Sequence, residues 1–453
     1  MEKKRGFASR IGFILSMAAF SIGIGNLWKF PYVVGNNGGG AFLIVYLVMV
    51  VLIGVPAFLL EVTLGRSAQM APIMGMRKLS GGKKSIFDSI GWLASFAIYV
   101  INSFAIMIVG GWCGGYIIKT LTGAMNGLTP DQVAAEFGTY SGSAMSVIVS
   151  IVEVVLLWLC LNGGVKKGIE KVCSVLLPVL FVILIGLTIY TNLLPGASEG
   201  LIWYLKPDFS KIDLSVISAA ATQVFFSLGI GMCCAYVYGS YFDQQGDLPT
   251  SLATTAFLDT FIAVLAGLLI VPALFSFGIE PTAGASLIFI TLPNLFNQMG
   301  GFGQIFGTLF LVCFYFAGFT SLLGGSEALV ANLTECTKIN RRKAATIVAV
   351  AQFLFSIVFT LSNGDNPVGH FQALGLGFFD FADFLAEGVA LTIGTILMLG
   401  FILFKWGFPK FQEEANRGAK GKIRIYHWMK PYFTIILPII LLLICYAIVR
   451  MYV

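Results

Sequence analysis

Apolar residues run in long stretches, separated by short polar and charged clusters, at residues 10–33, 40–66, 88–119, 144–161, 168–192, 214–241, 252–277, 303–333, 344–361, 378–405 and 431–452. Each is long enough for a helix to cross a hydrocarbon core about 30 Å thick. The pattern predicts an all-α integral membrane protein with eleven transmembrane helices. Lys3, Lys4 and Arg5 flank the first stretch as in a signal peptide. That stretch is too long for one, is interrupted by glycines and Pro31, and lacks a clear cleavage site, so it is expected to remain. Residues 120–143 read as an external cap, 193–213 as an interfacial turn with aromatics, and 284–300, too short to span and broken by Pro293, as a re-entrant or lid loop.

Two hexapeptides inside these stretches echo each other: Ser21-Ile-Gly-Ile-Gly-Asn26 and Ser227-Leu-Gly-Ile-Gly-Met232. Glycine weakens helix propagation, and non-helical backbone at membrane depth survives only inside protein or against a water-filled cavity. Paired breaks in two halves of a chain mark the substrate site of a secondary transporter. A freed half-helix N-terminus attracts an anion, and freed carbonyls suit a hard cation. A close-packing glycine face accounts for either hexapeptide alone. It explains less well the polar anchor in each, Asn26 and Ser227.

Composition narrows the class. Hydrophobic residues make up 57% of the 453, charged residues only 11%, and the mean hydropathy is +0.89, which excludes a soluble domain. The net charge of +6 is a matter of topology. With the N-terminus cytoplasmic, 23 of the 28 Lys and Arg fall on the inner side, leaving Lys29, Lys119, Lys206, Lys211 and Arg450 outside. This predicts a plasma-membrane protein with an external C-terminus, and nothing points to nucleic acid. The eight cysteines are scattered without a CxxC and read as helix-packing residues. With only His370 and His427 there is neither a catalytic triad nor a histidine metal cluster, so no enzyme is expected.

The residues now carry a specific resemblance. Gly25-Asn-Leu-Trp-Lys-Phe-Pro-Tyr32, Asn37-Gly-Gly-Gly-Ala-Phe42, Glu61-Val-Thr-Leu-Gly-Arg66, Gln223-Val-Phe-Phe-Ser-Leu-Gly-Ile-Gly231, Phe289-Ile-Thr-Leu-Pro293 and Ala317-Gly-Phe-Thr-Ser321 resemble the neurotransmitter:sodium symporter family over residues 5 to about 405. The resemblance implies a LeuT-type fold, with inverted repeats over about 10–192 and 213–405 around broken helices 1 and 6, a cytoplasmic loop at 406–430, and helix 11 at 431–453. Eleven spans resemble a bacterial branch.

It also implies two Na⁺ sites. One would use the Ser21 carbonyl, Asn26, Ser227 and Asp259; the other the carbonyls of Ala19, Ile22 and Ala317 with the hydroxyls of Thr320 and Ser321, five uncharged oxygens. Back-bonding within the helix is the other use open to Thr320 and Ser321. A carboxylate at bilayer depth is costly unless compensated. Ala263 stands where some bacterial relatives carry a glutamate, so Asp259 would itself supply the charge that chloride supplies elsewhere; pairing with a helix terminus is the alternative.

For the substrate, the resemblance implies N–H groups of Ile24 and Gly25 for a carboxylate, the carbonyls of Ser21 and Phe226 for an amine, and Phe226 as a lid. Gly23 stands where monoamine transporters carry an aspartate, which favours an amino acid bringing its own carboxylate. The family's carboxylate-binding tyrosine falls on Ile106, with Asn102 one turn away as a displaced polar partner. Ser227, Gly229, Met232, Ser321 and Gly325 complete a pocket with room for a bulky, apolar side chain. The alternative is an amine or osmolyte lacking a normally bound α-carboxylate.

Gates follow in the same way. Lys29 and Asp383 resemble the external pair, and Lys4 or Arg5 with Glu335, helped by Ser240 and Tyr241, the cytoplasmic one, with Phe7 as plug. The N-terminal basic residues are equally explained by topology. Gly168 and Pro178 have the spacing at which bacterial relatives unwind the fifth helix; an ordinary proline kink is the other reading. Together these imply sodium-coupled, chloride-independent import by alternating access, with a monomer sufficient. A channel or sensor on the same fold is the competing class.

Overall fold

Backbone polar groups cannot stay unpaired in hydrocarbon, so a chain this apolar must close them within helices. The computed structural model, which describes residues 6–279, 287–421 and 423–450, does so almost throughout. Helix α1 (Arg10–Ser21) starts at Ser9, whose hydroxyl accepts the Gly12 N–H at 2.9 Å. After a short break α2 (Gly25–Asn36) leaves at 51°. There follow α3 (Gly40–Ala68), α4 (Asp88–Leu121), α5 (Ala144–Gly164), α6 (Lys171–Asn192), α7 (Leu214–Ser227), α8 (Cys234–Ser240), α9 (Leu248–Ser276), α10 (Gly301–Thr337), α11 (Arg341–Leu361), α12 (Phe378–Trp406), α13 (Phe408–Asn416) and α14 (His427–Arg450). Two-residue strands Gln372–Ala373 and Leu376–Gly377 pair antiparallel ahead of α12.

Eight helices among the described residues have spanning length and composition, nine if α1 and α2 count as one broken span. The sequence-based tally of eleven departs from this at two places. Ala144–Asn192 is a continuous 49-residue helical stretch. At 1.5 Å per residue it would measure about 74 Å if straight, over twice the core thickness. Gly164, at φ 72° and ψ −173°, turns it between α5 and α6. The other place is α7 with α8, neither half of which reaches spanning length.

Helix α1 packs on α9 and α10 and is buried along most of its length, with Phe13, Met17, Ala18 and Ala19 inaccessible. A helix apolar all round belongs in the interior. The rim instead exposes Val182, Phe257, Phe404 and Leu443, as a lipid-facing surface does. All eight cysteines are free thiols. Asp213 caps α7 by accepting the Val216 N–H at 2.9 Å, and hydrogen bonds from Ser215 and Val216 hold its exposed carboxyl below the usual range.

Two loop expectations change. Residues 284–286 lie outside the described residues, but the expected lid is helical over 287–298, with Pro293 just after a π-helical turn, Leu287–Thr291. The external segment holds a helix, Pro130–Ser141, started by a Thr129/Gln132 capping box.

Candidate functional site

Both hexapeptides break their helices, α1 ending at Ser21 and α7 at Ser227. At the first break Ile22 is extended, its N–H still bonded to the Ala18 carbonyl at 2.7 Å, and the chain re-enters helix through a wide π-turn at Gly25–Lys29. Asn26 ties the break shut: its Oδ1 accepts the Gly23 N–H at 3.3 Å. At the second break Gly229, Gly231 and Cys233 all have positive φ. The Gly231 N–H donates to Glu61 Oε2 at 2.9 Å. Glu61 is fully buried on α3. The sequence reading quoted Glu61 only as part of a motif; a carboxylate inside an apolar stretch was the signal that it must serve unpaired backbone.

Ser21, Asn26, Ser227 and Asp259 come together between the breaks and α9. Asn26 Nδ2 donates to Asp259 Oδ1 at 2.9 Å and to the Asp259 carbonyl at 3.0 Å, and Ser227 Oγ donates to Asp259 Oδ2 at 2.9 Å. All four are buried, and Ser21 Oγ has no partner among the described residues. No Lys or Arg pairs with Asp259 there, so its carboxylate is held by neutral donors alone. One carboxylate among uncharged oxygens suits a monovalent alkali ion. No cluster of three or more His, Cys, Asp or Glu exists among the described residues for a transition metal.

In the second group Thr320 Oγ1 lies 2.9 Å from the Ala19 carbonyl, 3.0 Å from that of Phe316 and 3.1 Å from that of Ala317. A hydroxyl has one proton, so Thr320 donates to one of the three and the other two carbonyls crowd the same oxygen. Ile22 follows directly on α1, and Ser321 Oγ faces Gly23, where an added Cβ would lie 2.9 Å away.

A cavity separates the two breaks from α4 and α10. Ser21, Gly23, Ile24, Gly25, Asn102, Phe226, Ser227, Gly229, Met232, Ser321 and Gly325 line it. Ile106 does not: it is fully buried, and with its N–H still bonded to the Asn102 carbonyl one α-turn back, ordinary α-helical spacing sets it at the flank of the face that Asn102 shares with Ile98, Ile101 and Ala105. Asn102 is no stand-in for a carboxylate-binding hydroxyl either. Its Nδ2 donates to the Leu322 carbonyl at 3.0 Å and to Ser326 Oγ at 3.1 Å, so the amide hydrogens are spent. The sequence reading missed Phe20, Ile101 and Phe104 in the wall, since an apolar residue in an apolar stretch carries no mark of facing a cavity.

Phe226 roofs this cavity, 3.1 Å from where a Gly25 Cβ would stand, and Lys29 Nζ lies 3.9 Å above its ring centroid. Lys29 and Phe226 also line a second cavity with Glu387, a half-buried residue close enough to interact electrostatically with both Lys29 and Asp383. The external pair is thus a group of one cation and two carboxylates. On the inner side Lys4 and Arg5 lie outside the described residues. Tyr241 donates to Glu327 Oε1 at 2.8 Å, and Arg341 grips the same carboxylate with Nη1 at 2.9 Å and Nη2 at 2.5 Å. Glu335 accepts the Ala71 N–H at 2.8 Å, and Ser240 donates to the Val237 carbonyl. Phe7 packs edge-on against Phe13, Tyr238 and Tyr241. Between Gly168 and Pro178 the chain is helical, wound as π-helix over Val165–Glu170, so this structure holds the fifth helix closed.

A profile of the Sodium:neurotransmitter symporter family matches residues 4–134 and 131–453. The chain is 34% identical to the uncharacterized sodium-dependent transporter YhdH of Bacillus subtilis, over 94% of each chain. It is 26% identical to the human sodium- and chloride-dependent GABA transporter 2, over 92% of this chain and 77% of that one. Its structure resembles MhsT in complex with L-phenylalanine, with a TM-score of 0.86 and 33% identity, covering 98% of this chain and all of that one.

Proposed function

Because the chain belongs to the sodium:neurotransmitter symporter family and has the LeuT-type fold, a sodium-dependent membrane transporter, we propose that it imports an amino acid with a bulky, largely apolar side chain, coupled to two sodium ions and independent of chloride. The observation that carries this reading is the buried Asp259 carboxylate, held between the two breaks by Asn26 and Ser227 without a cationic partner among the described residues. A sodium ion supplies the missing charge. Asp259 supplies the negative charge in return, with Ala263 beside it on α9 leaving no second carboxylate to do so.

Ile24 and Gly25 stand at the start of α2 and line the cavity, where N–H groups lacking a helical partner receive a carboxylate. Gly23 leaves space between that carboxylate and the first sodium. The second sodium, among the Ala19, Ile22 and Ala317 carbonyls and the Thr320 and Ser321 hydroxyls, would bind α1 to α10. Phe226 and Lys29 close the outside. Later Phe7 withdraws, the Tyr241–Glu327–Arg341 group opens, and unwinding between Gly168 and Pro178 wets the second sodium. With the N-terminus cytoplasmic, two sodium ions moving inward with a zwitterion gain about 4.6 kcal/mol per 100 mV, roughly a thousandfold accumulation.

The structure of MhsT with L-phenylalanine supports an amino acid. A second reading, an amine or osmolyte without an α-carboxylate, is favoured by one observation: α4 brings no free side-chain donor to the cavity. A sodium-dependent thermal-shift screen against amino acids, amines and osmolytes separates the two. Saturable uptake and counterflow in proteoliposomes separate a carrier from a channel or sensor. Collapse of uptake in gluconate medium would remove chloride independence.

A further inference from the structure

Asn102 is 6% exposed, and the orientation of its amide is fixed by chemistry. One of its polar atoms lies 3.0 Å from the Leu322 carbonyl, a group that can only accept, so that atom is the nitrogen. The same nitrogen lies 3.1 Å from Ser326 Oγ, whose own proton goes to Gln352 Oε1 at 2.9 Å, leaving Ser326 free to accept. Both amide hydrogens are therefore spent on α10. The remaining atom, Oδ1, receives no hydrogen bond among the described residues, on a side chain that lines the cavity.

Gly325 makes this arrangement possible. A Cβ there would lie 2.7 Å from both the oxygen and the nitrogen of the Asn102 amide, so only glycine lets the amide lie flat across α10. The wall around it is apolar: Ile98, Ile101, Phe104 and Leu322. A lone acceptor in such a wall loses its hydrogen-bonding opportunity when an entirely apolar side chain covers it, and keeps it when the ligand carries a donor.

We infer that Asn102 is a specificity-determining residue that accepts a hydrogen bond from an N–H or O–H on the substrate's side chain, so that the preferred substrates are apolar-bodied amino acids with a donor, such as those bearing a phenol or an indole. The inference rests on the amino acid reading above. It also explains why Asn102 cannot bind the substrate carboxylate, since an acceptor repels one.

Binding to the purified protein in sodium tests it with two ligand pairs: L-tyrosine against L-phenylalanine, and L-tryptophan against 1-methyl-L-tryptophan. In at least one pair the donor-bearing member is expected to bind about tenfold more tightly, the worth of one net hydrogen bond. Asn102→Leu, judged folded by its sodium-dependent stabilisation, should shrink that ratio to below about twofold by weakening the donor-bearing ligand. The inference is overturned if neither pair shows a preference in the native protein, which needs no variant, or if the ratio survives Asn102→Leu. Amino acids that bind without donor preference overturn this inference alone; no binding by any amino acid removes the amino acid reading and this inference with it.

Discussion

At the first break the chain leaves helix for only two residues, Ile22 and Gly23, with no positive φ, and is closed by its own Asn26 side chain. At the second, six residues from Leu228 to Cys233 separate the helices, three of them in left-handed backbone, and a carboxylate from α3 takes the Gly231 N–H. The similar hexapeptides therefore solve different problems. The first keeps its backbone compact and sets the Asn26 amide against Asp259 and the Ala19 carbonyl against Thr320, where we propose the sodium ions bind. The second opens wider, lends Gly229 and Met232 to the cavity wall, and relies on Glu61 to satisfy the backbone it exposes. A narrow break can be held by local bonds, whereas one that opens wider needs bracing from another helix.

The comparison can be broken most severely at Asp259. Asp259→Asn removes the only formal charge in the group that joins the breaks, and sodium-dependent stabilisation and uptake should fall at least about a hundredfold, as expected for a buried charge-assisted contact; a sodium titration of the purified variant near the native midpoint would refute the assignment. Next in size is Glu61→Ala, which leaves the buried Gly231 N–H at the second break unpaired and should cost about 1–3 kcal/mol of stability. Chemical denaturation measures it, and an unchanged midpoint would show that the brace is dispensable.

A smaller contrast is expected between matched alanines. Gly231→Ala forces a β-carbon onto a residue at φ 85° and against Thr395, costing about 1–2 kcal/mol in stability. Gly23→Ala meets one side chain, Ser321, at its Oγ (2.9 Å) and Cβ (3.0 Å), and should weaken substrate binding more than folding. Equal unfolding midpoints for the two would erase the distinction between the breaks. The smallest effect belongs to Lys29→Met, which removes a contact to the Phe226 ring worth about 0.5–1 kcal/mol. Substrate dissociation should quicken a few-fold, and unchanged release kinetics would show that the roof does not depend on it.

Much of the polar clustering around Asp259 and Thr320 was legible in the chain because it is built from residues that are rare inside a membrane: Asn26, Asp259 and Thr320 each stand out against an apolar background and need partners. Side-chain roles in the cavity were less legible. Counting along an α-helix puts Ile106 one turn from Asn102, but the cavity faces the Ile98, Ile101 and Ala105 side of Asn102 and leaves Ile106 at the flank. Glu327 had no assigned partner until folding set Tyr241 and Arg341 against it, and Glu387 joined Lys29 only through the packing of α12 near α2.

What the sequence alone determined is where helices must break and what chemistry the breaks can carry, because glycine placement and isolated polar residues act locally and are costly in lipid wherever they occur. What the tertiary structure alone decided is direction: which hydrogen of an amide is spent, which turn of a helix faces the cavity, and which carboxylate braces which backbone. Those choices depend on partners from helices distant in the chain, such as Leu322 for Asn102 and Gly231 for Glu61, and no local pattern encodes them.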